Sequence, residues 1–207
     1  MPEGAWEESH AREAYVSDTG IIGFRGSRAK QRTWYNHMPA LSIREQIGHE
    51  IWNRYFKFTT IRNPYDKLIS YFSSKLAKKQ NYNPSKRALA FARRTLDLGK
   101  PIDRIRGHTE VELFRSWIEK GGDCIDREKY MIDNEVCMDF FIRFEYLHED
   151  IRHVCNQLGL PFEPQRLPEF KKGKRTQRPI KDYYDERTRQ IVEAKYAWEL
   201  REFNYSL

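Results

Sequence analysis

The chain has 207 residues, of which 32% are charged and 14% aromatic; that suits one domain over residues 1–207 and is too aromatic for a disordered chain. No run approaches 18 apolar residues, the opening MPEGAWEESHAREAY lacks an apolar stretch, and Cys124, Cys137 and Cys155 form no C-x-x-C pair. The expectation is a cytoplasmic protein with no membrane span, signal peptide, disulfide framework or metal. The net charge of +7 is uneven: residues 51–110 carry 14 basic and 4 acidic side chains, residues 111–150 carry 5 and 11, and residues 151–207 carry 12 and 8. Two basic blocks can converge on an anionic ligand or form solvated faces.

Loops are predicted at 16–40, 80–86, 99–108 and 161–183, where Gly, Pro, Asn, Ser and charges accumulate. Ser42-Ile43-Arg44-Glu45 reads as a capping box opening a helix with Ile43, Ile47 and Ile51 on its apolar stripe. Tyr55–Ile61, rich in β-branched and aromatic residues, reads as a strand. Asn63 then caps a helix with Pro64 at its first position, Asp66 at its third, and Leu68, Phe72 and Leu76 facing inward. A helix is predicted at 87–98, and Thr109-Glu110-Val111-Glu112 opens another that ends at Gly121-Gly122. Met138–Glu145 reads as a second strand, followed by a helix through Leu147, Ile151, Val154 and Leu158 and a last helix over 185–202. Strands alternating with helices imply an α/β fold with a mainly parallel sheet.

The stretch KFTTIRNPYDKLISYF, residues 57–72, carries the chemistry. A strand running straight into a capped helix makes an anion site, because the first helical N–H groups lack intrahelical partners and the dipole adds positive charge. Arg62 stands at the strand's end with a fork suited to phosphate, and Ser70 offers a hydroxyl two turns on. The plainer alternative is an Arg62–Asp66 ion pair beside a good helix cap.

R-N-P-Y-D-K-L-I-S resembles the 3′-phosphate-binding motif of sulfotransferases that use PAPS (3′-phosphoadenosine 5′-phosphosulfate), in the broad group related to carbohydrate sulfotransferases. WYNHMPALSIREQIGHEIWNRYFKF upstream, and FIRFEYLHEDIRHVCNQLGL and YYDERTRQIVEAKYAWELREFNY downstream, extend the resemblance over roughly residues 20–205. It implies a P-loop-NTPase-like three-layer α/β fold. It also implies PAPS as co-substrate, adenosine 3′,5′-bisphosphate as product, and a hydroxyl acceptor such as a glycan. Arg62 and Ser70 would hold the 3′-phosphate, and Lys174 and Arg175, in the basic loop 171–175, would close over the nucleotide. Phe144 is a candidate for packing on the adenine, with a place in the core as the alternative. His37, just before the first helix, is the candidate base on the acceptor hydroxyl, against a plain loop histidine bonded to backbone.

One part of that family's pattern is absent. Members begin with a strand entering a loop of the form P-K-[TS]-G-[TS]-[ST], whose N–H groups and Lys cradle the 5′-phosphosulfate. The nearest Gly-rich piece, Gly20–Gly26, has no Lys-Gly-Thr core. The expectation is a chain that starts after that unit, lacks the first strand, and turns over weakly or not at all by itself. Two readings therefore accompany the sulfotransferase: a nucleotide-binding fragment without catalysis, and a basic nucleic-acid-binding module using residues 75–106. The second has no recognisable nucleic-acid motif, so no nucleic-acid partner is expected.

Overall fold

Asn63 and Pro64 open the longest helix among the described residues, and the strand before it leads straight into that helix. A computed structural model describes residues 12–17, 20–25, 30, 32–81, 109–167 and 178–207. The expected helix at 87–98, most of the basic stretch 75–106 and the loop 171–175, with Lys174 and Arg175, lie outside the described residues. The chain divides into two compact units, Met1–Thr59 with Asp126–Phe140, and Thr60–Ile125 with Phe141–Leu207.

In the first unit, β1 (Tyr15–Ser17) pairs antiparallel with β2 (Gly20–Ile22). The predicted loop at 16–40 thus begins as a hairpin, and Gly20, Ile21 and Ile22 of the Gly-rich piece lie in its second strand. Helices α1 (Ala40–Ile47) and α2 (His49–Arg54) follow, broken at Gly48, whose φ of 84° favours glycine. The Ser42 capping box does not form. Pro39 is the N-cap, its carbonyl takes the Ile43 N–H at 3.1 Å, and Ser42 sits inside the first turn. The break at Gly48 also changes the helical phase, so Ile51 is exposed and Trp52 is buried with Ala40 and Ile132. Met131–Ile132 (β4) and Glu135–Val136 (β5) form a second hairpin. Its turn residues Asp133 and Asn134 have φ of 55° and 65°, the backbone that a two-residue hairpin turn demands.

The chain passes between the units within β3 (Phe58–Ile61) and β6 (Phe140–Arg143), which are hydrogen-bonded neighbours. The Lys57 carbonyl accepts the Asp139 and Phe140 N–H groups before them, and Glu145 accepts the Asn63 N–H after them. The two strands therefore run the same way, as the mainly parallel α/β pattern predicts. Both are shorter than predicted. Tyr55 instead closes α2, its N–H bonding the Ile51 carbonyl at 3.2 Å.

In the second unit, α3 (Pro64–Asn81) packs with α4 (Glu110–Glu119), and α5 (Leu147–Gln157) follows β6. Thr109 and Glu112 form the expected capping box. Gly122 ends that segment where a Cβ would lie 2.2 Å from the Trp117 ring, so no larger residue fits. The predicted last helix is two, α6 (Glu186–Lys195) and α7 (Ala197–Glu202), interrupted at Tyr196. That ring is buried and its hydroxyl accepts the Cys124 N–H at 2.9 Å, an anchor that outweighs continuous helix geometry. Phe114 centres the core, edge-on to Phe72, Tyr183 and Tyr184 at 5.5, 5.6 and 5.2 Å.

Candidate functional site

The second unit holds the strand–turn–helix. Asn63 caps α3 as predicted: its Oδ1 accepts the Tyr65 N–H at 3.0 Å and its carbonyl accepts the Lys67 N–H at 2.9 Å. Arg62 follows β3 directly and grips Asp66 Oδ2 with both Nε and Nη2. The ion pair weighed from sequence therefore forms. It uses one edge of a guanidinium that carries five donors. The guanidinium carbon also lies 4.3 Å from the Phe144 ring centroid. Phe144 is 48% exposed, in a turn after β6, and is not a core strand residue.

Ser70 is half-buried on α3. Positions 66 and 70 are one helical turn apart on one face, so Ser70 continues the stripe begun by the Arg62–Asp66 pair. The backbone contributes less to this site than the sequence implies. The Tyr65 N–H is taken by Asn63, and the Asn63 N–H by Glu145 Oε1 at 2.8 Å.

The turn that carries Phe144 and Glu145 is pinned at its start. Asp150 is buried, and its carboxylate accepts the Arg143 N–H, Nε and Nη2 at 2.8, 2.9 and 2.8 Å. The Arg143 hydrogen bond holds the Asp150 carboxyl below the usual carboxylate range, against the opposing effect of burial. Glu145 Oε2 accepts the Tyr205 hydroxyl at 2.9 Å, and Asn63 Nδ2 donates to the Ser206 carbonyl at 2.9 Å. Burial, then the hydrogen bond to Glu145, push the Tyr205 phenol up. Sequence reading missed this network, because Asn63 and Ser206 are 143 positions apart and no local pattern joins them.

His37 lies in the first unit, in a left-handed turn with φ of 62°. Arg12 steadies the turn, donating to the Gly23 carbonyl at 3.2 Å and to Asn36 Oδ1 at 3.1 Å. His37 lines a cavity of about 480 Å³ with Tyr35, Trp52, Phe56, Lys57 and Lys129. Lys57 pairs with Asp139 at 2.8 Å and donates to the Tyr55 carbonyl at 2.9 Å. Burial raises the Asp139 carboxyl, but hydrogen bonds from the Lys57 ammonium and N–H outweigh it and hold the group low. An apolar-walled cavity with a few polar groups suits a small ligand. Lys57, at the start of the strand, also escaped the sequence reading, which singled out only the residues at the strand's far end.

Among the described residues, no three or more His, Cys, Asp or Glu side chains gather as a metal site would, and no helix is long and apolar enough to cross a membrane. The model of the sulfotransferase family matches residues 24–206. An uncharacterised protein of Archaeoglobus fulgidus is 28% identical over 130 residues, covering 61% of this chain and 86% of that protein. No solved structure matches the chain.

Proposed function

We propose, from the premise that this chain belongs to the sulfotransferase family, that it moves a sulfuryl group from PAPS to a hydroxyl acceptor, a sugar among the candidates. The observation that carries the reading is Arg62: a two-dentate guanidinium at the mouth of a strand–helix turn, stacked on an exposed aromatic ring. In this reading the outer edge of its fork and the Ser70 hydroxyl hold the ribose 3′-phosphate, and Phe144 offers a face to the adenine. Lys174 and Arg175 add positive charge over the nucleotide. PAPS supplies the sulfuryl group. His37 takes the proton of the acceptor hydroxyl as its oxygen bonds to sulfur and the bond from sulfur to the 5′-phosphate breaks. A P-loop-NTPase-like arrangement and a cytoplasmic location belong to the same reading; the three cysteines carry thiols and fit a reducing compartment.

The experiment is a thermal shift with adenosine 3′,5′-bisphosphate. The wild-type chain is expected to gain stability and Arg62→Ala to gain none. An equal shift in both would remove Arg62 from the nucleotide site.

A second reading keeps the nucleotide site without turnover. The observation that favours it is that the Gly-rich piece Gly20–Gly26 has no Lys-Gly-Thr core, so no loop lysine is at hand to stabilise the leaving 5′-phosphate. Sulfuryl transfer on the order of 1 s⁻¹ by the purified chain would decide for the enzyme.

A further inference from the structure

Arg62 can hold a phosphate only if the backbone beneath it points its side chain the same way in every molecule. Its link to the helix is the peptide between positions 62 and 63. That unit is planar, so a partner for the Asn63 N–H sets the rotation about the Arg62 Cα–C bond. The partner is Glu145 Oε1 at 2.8 Å. The other carboxylate oxygen accepts the Tyr205 hydroxyl at 2.9 Å. Glu145 is exposed, where a single carboxylate contact contributes little, yet here both oxygens serve to join one short turn to another. The neighbouring residue, Phe144, lies under the Arg62 guanidinium at 4.3 Å. One dipeptide step therefore steadies Arg62 from two directions, by a ring under the guanidinium and by a carboxylate on the following peptide. The Asn63 amide, held through Oδ1 by Tyr65 and through Nδ2 by Ser206, leaves little slack in the turn.

We infer that Glu145, braced by Tyr205, is a positioning residue for phosphate capture by Arg62, an inference that rests on the reading of Arg62 as the 3′-phosphate ligand. Glu145 does not touch the nucleotide. It presets the turn, so that less ordering is left to be done when the anion arrives.

The test compares adenosine 3′,5′-bisphosphate with adenosine 5′-phosphate by titration calorimetry, with unliganded Tm recorded for each variant. The wild type is expected to prefer the bisphosphate. Glu145→Ala is expected to weaken the bisphosphate by roughly tenfold and leave the 5′-phosphate unchanged. That selectivity is a readout that a loss of stability alone would not produce. Glu145→Gln, whose amide oxygen still accepts the Asn63 N–H, is expected to restore most of the preference. Tyr205→Phe removes only the brace and keeps the ring, so it carries the test if Glu145→Ala does not fold; an intermediate loss of preference is expected. A wild-type preference that survives unchanged in both Glu145→Ala and Tyr205→Phe overturns the inference. A wild type that binds both nucleotides alike overturns the phosphate reading of Arg62, and this inference with it.

Discussion

A guanidinium at position 62 can hold Asp66 and a phosphate together because its five N–H donors lie in a planar fork. An ammonium in the same place has no second edge. Arg62→Lys is therefore expected to keep the charge and lose most of the bisphosphate-induced thermal shift; a shift equal to that of wild type would mean that charge alone suffices. Loss of the proposed base is a separate matter. His37→Ala is expected to lower kcat by about 10²–10⁴ while bisphosphate affinity stays unchanged, checked by turnover and calorimetry on one preparation. Arg62, Asn63 and Asp66 were legible in the sequence because caps and i,i+4 pairs are local. Glu145 and Tyr205 were not: their partners are distant in the chain, and a lone Glu or Tyr carries no spacing that marks it.

At the scale of elements, capping boxes divided into those that form and one that does not. Thr109 and Glu112 match the pattern and cap their helix. Ser42 and Glu45 match it equally well, yet the helix begins three residues earlier, after Pro39. Met38 and Ala40 are buried, and their burial sets the helix start where propensity alone would not. Asp185, which the sequence reading passed over, forms a reciprocal cap with Thr188. Asp185→Ala is expected to cost about 1 kcal/mol, read as a shift in the urea midpoint. The aromatic packing between α3 and α4 counts for more. Phe114 is fully buried against four rings, those of Phe72, Trp117, Tyr183 and Tyr184, and Phe114→Ala is expected to cost about 3–5 kcal/mol. A change near zero in the same denaturation experiment would show that the neighbours collapse into the gap.

Across the whole molecule, stability should fall at both ends of the pH scale. Arg143 holds Asp150 low, Thr188 holds Asp185 low, and Lys57 holds Asp139 low against burial. A carboxyl depressed in the folded state adds stability above the unfolded value of about 3.9, and that contribution is lost as pH falls through the folded value. At the alkaline end, burial pushes the Tyr65 phenol up to about 12 and raises Tyr184 and Tyr196 further. For these groups stability is full below the unfolded value of about 10 and is lost as pH rises through the folded value. Tyr184→Phe removes one such group, along with its hydrogen bond to the Tyr65 carbonyl. It is expected to flatten the decline above pH of about 10, measured by circular dichroism against pH; an unchanged alkaline slope would place the loss elsewhere.

The passage of the chain between its units within β3 and β6 bears on how the protein can be cut. Each unit is assembled from two stretches of sequence, so neither corresponds to an uninterrupted piece of gene. A fragment stopping at Ile125 would strip the first unit of its second hairpin, and one starting at Asp126 would strip the second of α3 and α4. Truncation should therefore yield insoluble halves, and any recombination that trades one unit between relatives must carry three crossovers, at 59/60, 125/126 and 140/141.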